Sequence, residues 1–286
     1  MLKLLDWIDK DKLCWDSLSL NPNAVELLKN NPEKINWKNL SLNINAIELL
    51  KNNEDKINWV NLSKNKNAID ILKNNTDKIK LSWLSENPCA IDFFIEDKKK
   101  IFWNLSINPN AIDLLREHPQ RINWKYLSKN MNAIDLLRDN YCKICWSNLS
   151  RNPNARELLI NNLDKVDWTN LSLNYNCIDL LENNIEKISW ENLSKNKNGI
   201  KILEKYPENI DWNWLSLNPN AINLLKDNKE KIYWKGFSKN PSIFVYDYET
   251  MLKNSNIFKE DLIAQVYHPR RFKKYLYQYG YDMADL

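Results

Sequence analysis

The sequence predicts an all-α solenoid, in which short helices stack along a tandem array. A 22-residue unit recurs from Trp15 nearly to the end of the chain, and self-similarity at a fixed period is the signature of repeat architectures. Within the unit, the apolar residues follow helical spacing. The chain has only three glycines, where average usage gives roughly twenty, so hairpin turns and glycine-rich phosphate loops are disfavoured. We therefore expect about ten repeats of two short helices each, followed by a helical C-terminal cap.

The repeat reads W-x-x-L-S-x-N-x-N-A-I-x-L-L-x-x-N-x-x-K-I-x, and we number its positions from the tryptophan. The units begin at Trp15, Trp37, Trp59, Leu81, Trp103, Trp124, Trp146, Trp168, Trp190, Trp212 and Trp234. We refer to them as repeats 1 to 11 in chain order.

This period divides the chain into three predicted regions. Residues 1–14 resemble a degraded half-unit and are expected to form an N-terminal cap, before a solenoid over 15–240. Residues 241–286 lose the period and are predicted to form a helical C-terminal cap, since solenoids need terminal caps with a polar outer face. Two helices are expected within this cap, over Ile257–Tyr267 and Pro269–Tyr279.

The longer helix of each repeat is predicted over ten residues, as in Asn21–Asn30. Asn21 is a suitable N-cap because its side chain can accept from the free amides of the first turn. Pro22 suits the first helical position, where its missing N–H costs nothing. Ala24 and Leu28 belong to an apolar stripe with i, i+3, i+4 spacing, which predicts the buried side of the helix.

The other predicted helix, which begins at the tryptophan of each repeat, is shorter. Asn36 is the N-cap candidate before Trp37, and Ile35 and Leu40 have the spacing of a hydrophobic staple. Both helices are too short to persist alone in water. Stacking of tryptophan, leucine and isoleucine between repeats must therefore stabilise the array.

A leucine-rich-repeat-like solenoid is the alternative fold, because its units have a similar length. That fold needs an apolar residue on a strand, two positions after the leucine at position 4, as in Leu42 after Leu40. In several repeats this residue is charged instead: Lys64, Glu86, Lys129, Arg151 and Lys195. The alternation expected of a strand is lost there, which favours the helical solenoid.

The repeat is irregular between Lys80 and Leu105. Leu81 replaces the tryptophan, Trp83 follows two residues later, and the unit from Trp103 is one residue short. Two interpretations are open for this stretch. It is either sequence drift with a local change of the superhelix, or a functional bend or contact site.

Three polar columns recur in nearly every repeat, and they support two interpretations. Helix capping and hydrogen-bonded ladders between neighbours would satisfy them, as buried polar groups require. The functional alternative is a repeated hydrogen-bonding surface with one unit for each ligand element. Position 5 holds Ser19, Ser41, Ser63, Ser85, Ser106, Ser128, Ser150, Ser172, Ser194, Ser216 and Ser238. Position 7 holds asparagine from Asn21 to Asn240, and position 9 holds Asn23 and most of its equivalents.

Charged residues also recur in columns. The basic column consists of Lys34, Lys56, Lys78, Lys100, Arg121, Lys143, Lys165, Lys187 and Lys231. The acidic column consists of Glu26, Glu48, Asp70, Asp92, Asp113, Asp135, Glu157 and Asp179. The basic column alone would suggest a stripe for phosphates. Because each acid often precedes a Lys or Arg by three residues, ion-paired ladders are favoured.

The strongest local candidate for contacts with a polyanion or a partner is a basic cluster near the C-terminus. It consists of Arg270, Arg271, Lys273 and Lys274, among tyrosines. The whole chain carries 41 basic and 37 acidic residues, for a net charge of +4. Such fine mixing is typical of a solvated, ion-paired surface elsewhere in the chain.

Catalytic and metal chemistry have little support in the sequence. Cys142 and Cys145 match half of a zinc or redox pattern, but no second pair exists and both histidines lie elsewhere. No nucleophile–base set or carboxylate pair stands out. We therefore expect no enzyme, no catalytic or metal site and no cofactor. The odd, scattered cysteines and the lack of a signal peptide or transmembrane segment predict a cytoplasmic protein without membrane contacts.

The units of the form L-S-x-N-P-N-A-I-x-L-L, as in Leu18–Leu28 and Leu215–Leu225, carry a family resemblance. They resemble the asparagine-rich tandem-repeat proteins that giant DNA viruses of the mimivirus type encode in many copies. The tail Val266–Arg271 is also similar to C-terminal segments of such proteins. The resemblance implies a viral protein that works in the host cytoplasm. It implies no defined activity and assigns no functional residues.

The sequence thus predicts a non-enzymatic scaffold that binds another macromolecule along an extended face. A protein is the favoured partner, because the array is uniform and catalytic groups are missing. The alternative is a nucleic-acid-binding solenoid that uses the basic column and the cluster Arg270–Lys274.

Overall fold

The computed structural model describes residues 2–95, 103–266 and 268. It confirms the all-α repeat solenoid, and no strand lies within the described part of the repeats. The chain divides into two compact units. Asp6–Ile243 forms the repeat body, and Met1–Leu5 with Phe244–Leu286 forms the second unit. The predicted boundaries at residues 14 and 240 differ most at the N-terminus, where residues 6–14 belong with the repeats.

A regular repeat contains a first α-helix, a turn, a second α-helix and a short 3-10 helix. The first helices are Trp15–Leu18, Trp37–Leu40, Trp59–Lys64, Leu81–Leu84, Trp124–Leu127, Trp146–Ser150, Trp168–Leu171, Trp190–Lys195, Trp212–Leu215 and Trp234–Phe237, with a 3-10 helix at Trp103–Ile107. The second helices are Val25–Lys29, Ile47–Lys51, Ile69–Lys73, Asp92–Ile95, Ile112–Glu117, Ile134–Arg138, Arg156–Ile160, Ile178–Glu182, Ile200–Lys205 and Ile222–Asp227.

Short 3-10 helices complete the repeats, and the sequence did not predict them. Those after the second helices are Pro32–Lys34, Glu54–Lys56, Thr76–Lys78, Pro119–Arg121, Tyr141–Lys143, Leu163–Lys165, Ile185–Lys187, Pro207–Asn209 and Lys229–Lys231, and Lys10–Lys12 precedes repeat 1. Others occupy the turn between the helices, at Pro88–Ala90, Pro219–Ala221 and Pro241–Ile243.

The prediction of a helix that begins after an Asn21 cap is wrong, because this helix begins four residues later, at Val25. The Asn21 side chain accepts a hydrogen bond from the Asn23 amide at 3.0 Å. This contact forms an Asx turn, which gives the backbone an alternative to the helix. The cap of the first helix is confirmed, since Asn36 Oδ1 accepts from the Asn39 amide at 3.0 Å.

The core of the repeat body is a stack of small and branched apolar residues. In repeat 2, Leu40, Ala46 and Leu50 at positions 4, 10 and 14 are fully buried. Ile35, the staple residue before the first helix of repeat 2, is also buried. The same positions are buried in successive repeats, so each repeat covers the apolar side of the next.

Buried asparagines bind neighbouring repeats together. Asn43 Nδ2 donates to the carbonyls of Ser19 at 3.1 Å and Asn21 at 2.8 Å, both in the preceding repeat. Asn45 at position 9 donates to the Pro22 carbonyl at 3.0 Å. Asn65, Asn87, Asn108, Asn130, Asn152, Asn174 and Asn218 repeat the contacts of Asn43. We call this set of contacts the asparagine ladder.

The asparagine ladder closes on itself, so that repeat 11 precedes repeat 1. Asn21 Nδ2 donates to the carbonyls of Ser238 at 3.0 Å and Asn240 at 2.9 Å, which are the contacts that Asn43 makes with repeat 1. Asn23 Nδ2 donates to the Pro241 carbonyl at 2.9 Å. Because the interface between the last and first repeats matches the interior ones, the repeat body is a closed ring of eleven repeats.

Both termini of the repeat body contribute to repeat 11. The Cys14 amide donates to Ser238 Oγ at 2.9 Å, as the Asn36 amide does to Ser19 Oγ within repeat 1. Lys12 Nζ lies 5.4 Å from the Trp234 ring centre, the place that Lys34 takes over Trp15. Residues 10–14 therefore supply the end of a repeat that begins at Trp234. The interpretation of the N-terminus as a half-unit explains this arrangement.

The ladder also locates the irregularity in the middle of the chain. Asn104 Nδ2 donates to the Ser82 carbonyl at 3.1 Å, which is the contact of a position-3 asparagine. Trp103 therefore stands at position 2, and the missing residue lies between Phe94 and Asn104. Residues 96–102 lie outside the described residues, so neither interpretation of this stretch is tested.

The second unit contains an antiparallel strand pair, β1 (Leu2–Leu4) and β2 (Phe244–Tyr246). In its register Leu2 faces Tyr246 and Leu4 faces Phe244. An α-helix follows at Tyr248–Val266, nine residues before the start predicted at Ile257. Asp247 accepts hydrogen bonds from the amide and hydroxyl of Thr250, at 3.2 and 2.7 Å. This cap fixes the start of the helix, and the second predicted helix lies outside the described residues.

Candidate functional site: a cationic groove on the repeat body

The fixed polar columns serve the fold. The position-5 serines and position-7 asparagines are buried. Ser41 Oγ donates to the Trp37 carbonyl at 2.8 Å and accepts from the Asn58 amide at 3.0 Å. Both hydrogen-bonding roles of the serine are thereby used within one repeat. The columns thus form the ladder contacts of the first interpretation, with a turn contact at Asn21 in place of the expected helix cap, and they offer little to a ligand.

The basic column lies over the tryptophans. The amine of Lys34 is 4.5 Å from the ring centre of Trp15, which begins the same repeat. Equivalent cation–π contacts join Lys56 to Trp37, Lys78 to Trp59, Lys143 to Trp124, Lys165 to Trp146, Lys187 to Trp168, and Lys231 to Trp212. These amines are exposed, and each is held by an aromatic face of its own repeat.

The acidic column pairs with cations on the second helices. Glu26 accepts from Lys29 at 2.7 Å and Glu48 from Lys51 at 2.9 Å. Arg138 contacts Asp135 of its own helix and Glu157 of the next repeat. The partners are therefore the cations three residues later and those of neighbouring repeats, not the basic column. Exposed pairs of this kind add little stability but neutralise this surface.

A different column leaves positive charge without matching acids. Position 6, at the end of the first helix, carries five cations and one acid: Lys64, Lys129, Arg151, Lys195, Lys239 and Glu86. Position 8, two residues along the same turn, adds Lys66 and Lys197 and no acid. Positive charge thus accumulates on the side of the ring formed by the turns that follow the first helices.

Two adjoining depressions lie on this side, and we call them together the cationic groove. The first has a volume of about 350 Å³ and is lined by Arg151, Leu173, Tyr175, Lys195, Asn196, Lys197 and Pro219. The second has a volume of about 510 Å³ and is lined by Asn213, Trp214, Leu217, Tyr233, Lys235, Gly236 and Lys239. These linings combine five cations with three aromatic residues and contain no carboxylate.

Lys195 joins the two depressions. It lines the first, and its amine lies 4.6 Å from the ring centre of Trp214, which lines the second. Burial lowers the pKa of Lys195, and the positive charges of Arg151 and Lys239, two repeats away on either side, lower it further. The three cations therefore act on one another electrostatically, and an anion between them would relieve their repulsion.

Gly236 lets Tyr233 pack closely in the second depression. Position 3 is asparagine in many repeats, and Asn192 there donates to the Thr169 carbonyl of the preceding repeat at 2.8 Å. At the buried Gly236, an added Cβ would lie 2.9 Å from the Tyr233 ring and 3.4 Å from the Asn213 carbonyl oxygen. The missing side chain therefore permits the close approach of Tyr233. Tyr233 itself is 43% exposed, so the depression includes aromatic surface that is open to solvent.

The predicted contact residues Arg270, Arg271, Lys273 and Lys274 lie outside the described residues, and so does Lys100 of the basic column. Within the described ranges, no group of three or more His, Cys, Asp or Glu could hold a metal ion. All five cysteines are free, and burial raises the pKa of the Cys177 thiol to about 11. The described helices include none that is both long and apolar enough to cross a membrane.

Sequence reasoning noticed the position-6 charges only as an argument against strands. A count of charge by column would have found three of the groove's five cations, Arg151, Lys195 and Lys239, because position 6 has five cations against one acid. The contribution of Trp214 and Gly236 was harder to see. Both depart from the position-3 asparagine, and only the packing shows that they adjoin the same depression.

Comparisons of this chain with known protein families, curated proteins and solved structures find no match. The resemblance to giant-virus repeat proteins therefore stays a prediction. The groove has to be interpreted from its own geometry.

Proposed function

We propose that this chain is a non-enzymatic repeat scaffold that binds an anionic macromolecule across the cationic groove. The observation that carries the proposal is the lining itself, in which Arg151, Lys195, Lys197, Lys235 and Lys239 have no carboxylate among them. At other places on the ring, Glu26, Glu48, Glu157 and Asp179 pair with neighbouring cations. Charge of one sign in a concave site raises the local concentration of oppositely charged ligands.

The closed asparagine ladder supports a binding role. It holds the groove's cations on alternate repeats, 7, 9 and 11, at fixed spacing, so little ordering is needed when a ligand binds. The hydrogen-bonding groups of the serine and asparagine columns are used within the fold. Differences between repeats are therefore concentrated at the variable positions 3, 6 and 8. The function predicted from the sequence, with a protein as favoured partner, is narrowed here to an anionic partner.

The test compares two triple variants with equal loss of charge. Arg151→Ala, Lys195→Ala and Lys239→Ala together remove groove cations, whereas Lys34→Ala, Lys56→Ala and Lys78→Ala remove cations of the tryptophan-stacked basic column. The ligand is a fluorescent abasic single strand of about 12 nucleotides, which presents phosphates without bases. Fluorescence anisotropy over a salt series gives the affinity and its salt dependence.

We expect the groove variant to reduce the slope of log K against log salt by about 2, since each phosphate contact on a single strand contributes about 0.7. The variant of the basic column should bind as the unmodified chain does. Equal losses in both variants would place binding on the general surface charge. No binding at about 50 mM salt would refute the proposed function.

A further inference from the structure

The strongest feature that the proposed function does not absorb is the aromatic content of the groove. Phosphates and carboxylates require only cations for binding. The lining of the second depression nevertheless includes Trp214 and Tyr233, and the Tyr233 ring packs against Gly236. The first presents Tyr175, whose ring centre is 4.0 Å from the amine of Lys197. Proteins that bind single-stranded nucleic acids combine aromatic rings, on which bases stack, with cations that contact the phosphates.

We propose that the cationic groove binds single-stranded nucleic acid, with phosphates on Arg151, Lys195 and Lys239 and a base stacked against Trp214. This inference rests on the proposed function and names its ligand. A single strand fits better than a duplex because its bases are free to leave the strand and stack on side chains. An acidic protein segment would use the cations but would leave the aromatic rings without a partner of matching shape.

Lys195 provides a way for the site to change between free and bound states. In the free protein the Lys195 amine lies over Trp214 and makes a cation–π contact that covers one face of the ring. A phosphate draws the amine away, because an ion pair with a charge-assisted hydrogen bond is stronger than an exposed cation–π contact. The ring face is then open to a base. Binding of the phosphate and stacking of the base are therefore coupled through one flexible side chain.

Gly236 sets the position of Tyr233 in the depression of about 510 Å³. The Cβ of any side chain at this position would lie 2.9 Å from the Tyr233 ring, so the ring would have to shift. Gly236→Asn therefore changes the aromatic lining of the site without removing a charge.

The experiment compares an oligothymidine of about 12 nucleotides with an abasic strand of equal length, both by fluorescence anisotropy. We expect the oligothymidine to bind about tenfold more tightly, since a stacked base adds affinity of this order. Trp214→Ala should abolish the difference without weakening the binding of the abasic strand, because the variant frees Lys195 from the ring. Gly236→Asn should also reduce the difference in affinity between the oligothymidine and the abasic strand. Circular dichroism and the melting temperature confirm that each variant folds.

Trp83→Ala is the matched control. Trp83 occupies position 3 of repeat 4, and Lys64 lies over it at 3.8 Å, but Glu86 pairs with that lysine. The variant removes the same stack outside the groove and should leave both strands' affinities unchanged. Equal effects of the two tryptophan variants would overturn the base-stacking assignment.

The remaining outcomes separate this inference from the proposed function. Equal affinity of the unmodified chain for both strands would overturn the inference and leave the proposed function standing. Tighter binding of a duplex, or equal binding of polyglutamate and oligothymidine, would also overturn it. Failure of every anionic probe to bind would refute both.

Discussion

Two lysine–tryptophan stacks occupy equivalent places in the ring but differ in charge. Lys64 lies 3.8 Å from the ring centre of Trp83, and Lys195 lies 4.6 Å from that of Trp214. Glu86 accepts from Lys64 at 3.2 Å, whereas the equivalent residue in the second cluster is Leu217. The same fold therefore supports a neutralised cluster in repeats 3 and 4 and an unneutralised one in repeats 9 and 10.

The difference shows how a uniform array acquires a local site. The two clusters share the backbone, the ladder and the stacked lysine. A single side chain at position 6 determines whether the lysine is paired with a carboxylate of the protein or is available to bind an anionic ligand. Such a substitution costs the core little, because position 6 lies at the surface end of the first helix.

The largest expected effect comes from removing the ladder that both clusters share. Asn218→Ala, beneath the groove, and Asn87→Ala, beneath Trp83, each leave two carbonyls of the preceding repeat without their donor. We expect each to lower the free energy of unfolding by about 3 kcal/mol, because a buried carbonyl that loses its partner costs about 1–3 kcal/mol. Urea denaturation followed by tryptophan fluorescence measures the change.

Asn21→Ala extends this test to the closure of the ring. Asn21 makes the same two contacts, with Ser238 and Asn240 of the last repeat. In a closed ring its loss is as costly as that of Asn87 or Asn218. A much smaller loss for Asn21 than for the other two would show that the ends of the array do not meet.

An exchange at position 6 tests the comparison directly and should have an intermediate effect. Leu217→Glu places a carboxylate beside Lys195 as Glu86 stands beside Lys64. We expect the affinity for a single-stranded oligonucleotide to fall about tenfold, because the new carboxylate repels phosphates and pairs with the lysine. The reciprocal Glu86→Leu should raise affinity severalfold by freeing Lys64.

Leu217→Gln and Glu86→Gln are the controls, since glutamine has the size of glutamate without its charge. If Leu217→Gln weakened binding as much as Leu217→Glu, the shape of the groove would explain the difference between the clusters. The charge at position 6 would then have no special role.

The smallest expected effect is on the titration of Lys195. Its pKa lies below the ordinary value because of burial and because of the charges of Arg151 and Lys239. The folded state therefore disfavours the charged amine at any pH below the folded pKa. This unfavourable contribution is relieved as pH rises from the lowered pKa to the unfolded value near 10.5.

Arg151→Ala and Leu217→Glu should each move the pKa of Lys195 upward, the first by removing a like charge and the second by adding an opposite one. NMR titration of the ¹³Cε resonance of Lys195 measures the shift. An unchanged pKa in both variants would mean that burial alone controls this lysine, and that the groove's cations do not act together.

The repeat and its local structure follow from the amino-acid sequence alone. The 22-residue period, the tryptophan, leucine and alanine columns and the Asn36-type caps predicted stacked short helices, because these depend on local hydrogen bonds and on apolar spacing. The second helices are shorter than the sequence pattern predicts, because the side chain of Asn21 forms a tight turn and not a helix cap. The charged columns can be recognised in the sequence, but the side chains that they contact cannot.

The contacts of the columns, in contrast, follow only from packing between repeats. The closure of the ring depends on the accumulated rotation of eleven repeats, which no single repeat reveals, and it brings Asn21 to Ser238 across 217 residues of sequence. The groove likewise depends on contacts between repeats. Lys195 reaches Trp214 because neighbouring turns pack side by side. Spacing within one repeat specifies the helices, but only packing between repeats determines which charges remain for a ligand.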